Sequence, residues 1–183
     1  MSLPHCNLPA LEAVLADLQS IDPDLIVVGG DVVAGPMPAE VLDRLAALGQ
    51  SICFVRGNAD REVLAAYGDG RYTDATDAAD PAERTAAFAA SKIDRAQRDL
   101  LASLAERIVV EVEGVGQVLF CHGSPRSDEE IVTAATTEGL LREILEGGRS
   151  RPCSVRTHPC PVRSVCRRQE GHQRWQRGDA LSG

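Results

Sequence analysis

Three short polar clusters interrupt apolar stretches of this 183-residue chain. Gly30-Asp31 follows an apolar run ending at Val28, Gly57-Asn58-Ala59-Asp60 follows one ending at Val55, and His122-Gly123-Ser124 follows one ending at Cys121. Asp, Asn and His supply oxygen and nitrogen donors of hard to borderline character, a set suited to Mn, Fe, Zn or Mg and not to a thiolate centre. One carboxylate can bridge two ions, and two ions about 3.5–4 Å apart can clamp a phosphate and activate a water. Glycine beside each donor lets the backbone turn sharply and approach an ion. Alone, Gly-Asp or Gly-Asn is commonly a turn and a single His commonly a core or surface residue. Three such clusters in succession, each at the end of an apolar run, favour the metal reading.

The elements that must position them are legible. Leu8, Leu11, Leu15 and Leu18 recur at helical spacing, with Pro9 where a missing N–H does no harm. Residues 24–31 form a short continuous apolar run ending in glycines, as a buried parallel strand would. Residues 38–48 read as an amphipathic helix and 51–56 as a second buried strand, ending at Gly57-Asn58. Residues 68–82, rich in Gly, Asp, Ala and Thr, read as a surface loop. Residues 86–104 read as helix in one or two pieces, 108–113 and 117–121 as strands joined by a Gly114-Val115-Gly116 turn, and 129–146 as helix. Strands alternating with helices predict an α/β domain, since ligands bind at strand ends where loops converge on a rigid frame.

Composition bounds the function. Hydrophobic residues are 44% and charged residues 25%, enough for a real core. No apolar run approaches the roughly 18 residues of a membrane span, and no basic-then-apolar leader opens the chain. Cys6, Cys53 and Cys121 stand isolated in apolar surroundings, so the six cysteines do not outline a disulfide scaffold and a reducing cytoplasm is expected. A net charge of −8 argues against general or specific nucleic-acid binding. That average hides a break: residues 1–148 carry 11 basic and 25 acidic side chains, a net of −14, whereas residues 149–183 carry 8 and 2, a net of +6. The basic segment has no periodic apolar pattern and is expected to be a poorly ordered tail.

Together the clusters resemble the calcineurin-like metallophosphoesterases, and especially their small bacterial and archaeal single-domain branch. Gly30-Asp31-Val-Val-Ala-Gly35, Gly57-Asn58-Ala59-Asp60 and Cys121-His122-Gly123-Ser124-Pro125 match successive family motifs, and Leu3-Pro4-His5-Cys6-Asn7 aligns with the end of the first. The resemblance implies a two-sheet sandwich flanked by helices, lacking here its first strand and its C-terminal strands, over a domain at 1–148. It implies two divalent ions, with Asp31 bridging, His5 on the first, and Asn58 and His122 on the second, whose ligands are better retained. Asp60 is expected to orient and polarise this shell, and Arg56 and Arg126 are candidates for contacting phosphate. The implied reaction is in-line attack of a metal-activated water on a phosphomonoester or phosphodiester of a small molecule or nucleotide. Ala59 stands where many members have a histidine that protonates the leaving group, so any acid catalysis must come from elsewhere.

Two departures bear on activity. Leu3 stands where the first motif needs an aspartate, and no Gly-His-Thr-His closes the chain. The tail reads as a frameshift product. Shifted by one base, codons for Val155 to Val162 permit Phe-Gly-His-Thr-His-Val-Pro-Phe, and those for His172 to Ala180 permit Ile-Asn-Ala-Gly-Ser-Val-Gly-Met-Pro, two family motifs in order. The single codon of Trp175, before Gln176, then forces the glycine of the second. The expectation is therefore an impaired metallophosphoesterase. The alternative is a non-catalytic remnant or binding module that uses the scaffold and the basic tail.

Overall fold

The computed structural model describes residues 6–49, 52–68, 70 and 80–149. His5 and the tail beyond Arg149 lie outside these residues, as do residue 69 and residues 71–79 of the expected surface loop.

Helix α1 (Leu8–Ile21) starts at Asn7, whose side chain accepts from the Ala10 amide at 3.2 Å. It ends at Asp22 in the left-handed region and buries Leu11 and Leu15. Strand β1 (Ile26–Val28) leads through a turn to α2 (Pro38–Ala46) and on to β2 (Ile52–Phe54), a right-sized crossover that sets the two strands parallel with Val27 opposite Cys53. Helix α3 (Asn58–Gly68) follows β2 directly. Helices α4 (Pro81–Lys92) and α5 (Arg95–Ser103) are separated at Asp94, which closes a capping box with Gln97. Strands β3 (Arg107–Val112) and β4 (Gly116–Cys121) form an antiparallel hairpin whose turn places Gly114 and Gly116 at positive φ. Helix α6 (Glu138–Arg149) ends the described chain.

The architecture is mixed α/β, with two small sheets flanked by helices. A parallel bridge between Val55 and Ala105, with the Arg56 amide donating to the Ala105 carbonyl at 2.7 Å, ties the end of β2 to the approach of β3. Leu11 and Leu15 of α1, Val28 of β1, Leu42 and Leu45 of α2, and Leu101 of α5 share one buried cluster. Full burial of side chains of this kind contributes about 1.5–3 kcal/mol each. Among the described residues no helix is long and apolar enough to cross a membrane.

The main departures from the expected elements have local causes. The strands β1 and β2 are shorter than their apolar runs, because the glycines and polar residues at their ends leave the ladder to build the site. Helix α3 was not anticipated, since Gly-Asn reads as a turn; within it only Val63 and Asp60 are buried. Helix α4 begins at Pro81, five residues before the expected start, because Asp80 caps it by accepting from the Ala82 amide. Helix α6 begins nine residues later than expected. Ser and Thr side chains bind nearby amides between Ser124 and Thr137, holding turns in place of helix, until Thr137 accepts from the Leu140 amide.

Candidate metal centre

The site forms where the loop after β1, the start of α3 and the loop after β4 meet. Gly30 has φ of +97° and Asp31 +57°, so the chain doubles back on leaving β1 and turns the Asp31 carboxylate toward α3. Asp31 Oδ1 accepts from the Ala59 amide at 3.0 Å. A Cβ on Gly57, the residue before α3, would lie 2.1 Å from that same oxygen. The Asp31 carboxylate therefore occupies the place of the side chain that Gly57 lacks, and caps α3 from 28 residues upstream.

Asp60 completes the junction from below. It is fully buried, and its Oδ2 accepts from the amides of Gly57 at 2.8 Å and Asp31 at 3.0 Å, while Oδ1 accepts from Val33 at a longer 3.4 Å. Burial pushes its carboxyl up to about 6; the Gly57 amide bond opposes the rise and the neighbouring charge of Asp31 adds to it. Its partners in this structure are backbone amides on both loops, so it positions Asp31 and Asn58 through the main chain.

His122 approaches from β4. Its Nδ1 lies 2.6 Å from the Gly29 carbonyl oxygen, and its Nε2 lies 3.3 Å from Asp31 Oδ2. A carbonyl only accepts, so Nδ1 donates to it, and Nε2 is the nitrogen turned toward the carboxylate oxygen. An imidazole nitrogen and a carboxylate oxygen then face each other, an arrangement that a shared proton or a cation can bridge. Gly30 has to be glycine here: a Cβ would lie 2.7 Å from the Gly57 nitrogen and 2.8 Å from His122 Nδ1.

Asp31 and His122 are thus in contact, and Asn58 opens α3 one residue before the amide that binds Asp31. One carboxylate, one imidazole and one carboxamide are donor types that a single divalent cation accepts. The donors for a second ion are not assembled by the described residues, where no group of three or more His, Cys, Asp and Glu comes together. Of the two arginines singled out in the sequence, Arg56 donates to Glu106 at 2.7 Å, and Arg126 forks onto Glu130, with its Nε 3.0 Å from both carboxylate oxygens. Hydrogen bonds from Arg126, then from the Ser124 hydroxyl, hold the Glu130 carboxyl below its usual range.

Arg61 was missed. It lies one turn into α3 and reaches Asp128 at 3.0 Å and Glu129 at 2.7 Å, tethering the loop that carries His122 to the helix that carries Asn58. The available signal was an arginine beside the Asn58–Asp60 cluster with an acidic run just after His122. Ser124 stiffens the same loop: it is buried, and its hydroxyl oxygen accepts from the amides of Arg126 and Ser127, each at 3.2 Å.

The family profile described as calcineurin-like phosphoesterase matches residues 4–177. The chain belongs to the calcineurin-like phosphoesterase family. Among solved structures, the fold is similar to a metallophosphoesterase from Sphaerobacter thermophilus (29% identity, TM-score 0.50), covering 72% of this chain and 48% of that one. It is also similar in fold to hypothetical protein PH1004 from Pyrococcus horikoshii OT3 (18% identity, TM-score 0.61), covering 79% of this chain and 61% of that one. The chain therefore spans about half to three fifths of the length of these two solved structures. No match was found among curated proteins.

Proposed function

We propose that this phosphoesterase domain hydrolyses a phosphomonoester or phosphodiester of a small molecule or nucleotide, with Asp31, Asn58 and His122 as ligands of a divalent cation. The observation that carries the reading is His122 Nε2 facing Asp31 Oδ2 at 3.3 Å while the Gly29 carbonyl holds Nδ1. When bound, Mn, Fe, Zn or Mg supplies Lewis acidity toward a phosphoryl oxygen and lowers the pKa of water. The chain's own residues hold and orient: the Gly29 carbonyl fixes the His122 ring, the Ala59 amide fixes Asp31, and Asp60 locks both loops. A two-ion form of the site needs His5 and further donors, and Leu3 stands where the family has one of them. The present chain is accordingly proposed to bind cation weakly and to turn over poorly. Cys6 and Cys121 are free thiols but Cys53 is disulfide-bonded, which corrects the expectation of three isolated cysteines.

The test uses Mn²⁺ and bis(p-nitrophenyl) phosphate on two chains. One is the present chain; the other restores an upstream Asp-Ile-His and shifts frame after Gly147 to give Gly-His-Thr-His. The repaired chain is expected to hydrolyse the ester and the present chain to lag by at least about 10–100-fold. Equal activity would remove the proposal of impairment, and no activity in either would remove the enzyme reading. The nucleotide sequence around the codons for Gly147 to Arg149 tests the frameshift directly.

A further inference from the structure

We infer that a cavity beside His122 receives the alcohol portion of the phosphate ester, and that this alcohol is a sugar or other polyol, not a nucleoside. The inference rests on the phosphoesterase reading above and names its substrate class. The cavity measures about 260 Å³, with His122 in its wall beside the proposed cation site. That is smaller than the roughly 300–1,000 Å³ typical of pockets for drug-sized ligands, so it suits a small alcohol.

Its lining is polar and of both signs. Arg61, Arg107 and Arg126 present guanidinium donors; Glu106 and Asp128 present carboxylate acceptors. Most of these charges are already engaged: Arg61 pairs with Asp128 and Glu129, Arg126 with Glu130, and Glu106 with Arg56, while Arg107 donates to the Pro125 carbonyl at 3.1 Å. A second anionic group on the substrate would have to displace these carboxylates. A hydroxyl group would not, since each both donates and accepts a hydrogen bond and can join an arginine–carboxylate wall without breaking it. Neighbouring hydroxyls along a carbon chain multiply that match. Stacking works against a nucleoside. No Phe, Tyr or Trp is among the described residues that line the cavity, and Pro125 is the apolar member of that lining.

The experiment compares glycerol 3-phosphate and glucose 6-phosphate with AMP, using the 183-residue chain with Mn²⁺, alongside bis(p-nitrophenyl) phosphate. The polyol esters are expected to exceed AMP in kcat/KM by at least about tenfold. Glu106→Gln and Asp128→Asn should each pull that ratio, taken within each variant, toward one, with urea unfolding confirming that the variants fold. Equal or better use of AMP, or a ratio unmoved in both variants, overturns the inference while the phosphoesterase reading stands. If the present chain hydrolyses no ester, the impairment proposed above accounts for that, and the cavity is judged by ¹H–¹⁵N NMR titration of the metal-free chain. Saturable shifts at the Ser127 and Asp128 amides with glycerol 3-phosphate but not AMP then support polyol recognition. Equal shifts with AMP, or none with either, overturn it.

Discussion

Around Asp60, three backbone amides from two loops converge on one fully buried carboxylate; across the rim of the cavity, Arg61 and Arg126 hold Asp128, Glu129 and Glu130 through ion pairs that touch solvent. Both regions position a candidate cation ligand, Asn58 and Asp31 in the first case and His122 in the second. Their energetics differ because a buried amide without a partner loses its full hydration, whereas water replaces a lost surface partner. The buried junction sets whether the site exists, and the rim sets how firmly its last ligand is held.

The largest effect is expected from Asp60→Ala, which strands the Gly57, Asp31 and Val33 amides. At about 1–3 kcal/mol for each buried unsatisfied donor, urea unfolding should show a loss of about 3 kcal/mol or more. A loss comparable to that of a rim substitution would erase the contrast. Gly57→Ala comes next, because its Cβ would meet Asp31 Oδ1 at 2.1 Å and force the carboxylate off the start of α3. We expect about 1–3 kcal/mol of destabilisation, and Mn²⁺ affinity lower by about 10–100-fold by calorimetry.

Arg61→Ala should cost under about 1 kcal/mol of stability, as partly exposed ion pairs do. Faster amide exchange at residues 123–130, with α3 unchanged, would show that the arginine acts on the loop; uniform exchange would show that it does not. The smallest effect is on titration. Arg126 and the Ser124 hydroxyl hold the Glu130 carboxyl below its ordinary value of 4.5, so the tie contributes fully above that pH and fades as pH falls through the lower folded midpoint. Arg126→Ala should raise that midpoint in a carboxyl NMR titration, and an unmoved midpoint would take the ion pair out of the account.

The sequence carried the frame of the site better than its fastenings. Short apolar runs ending in Gly-Asp, Gly-Asn and His-Gly located β1, β2 and β4 and the order of Asp31, Asn58 and His122, because buried strands leave a dense apolar signal. Asp60 was recognised as important, but its three amide partners were hidden, since main-chain donors leave no trace in residue identity. Arg56 and Arg126 read as candidates for contacting phosphate, yet each has a carboxylate partner, Glu106 and Glu130, 50 and 4 residues away. Only a folded chain reveals the first pairing, while the second could have been found from spacing alone. Helix α3 escaped notice because its cap is supplied by a residue in another loop.

That distant cap constrains the order in which the chain can fold. Residues 58–68 gain the cap on their first turn only late, because the carboxylate that takes up the Ala59 amide arrives once β1 has aligned with β2. A helix this short nucleates poorly in isolation. The assembly of α3 and the gathering of the cation ligands should therefore be late and simultaneous, a single closing event that follows strand pairing.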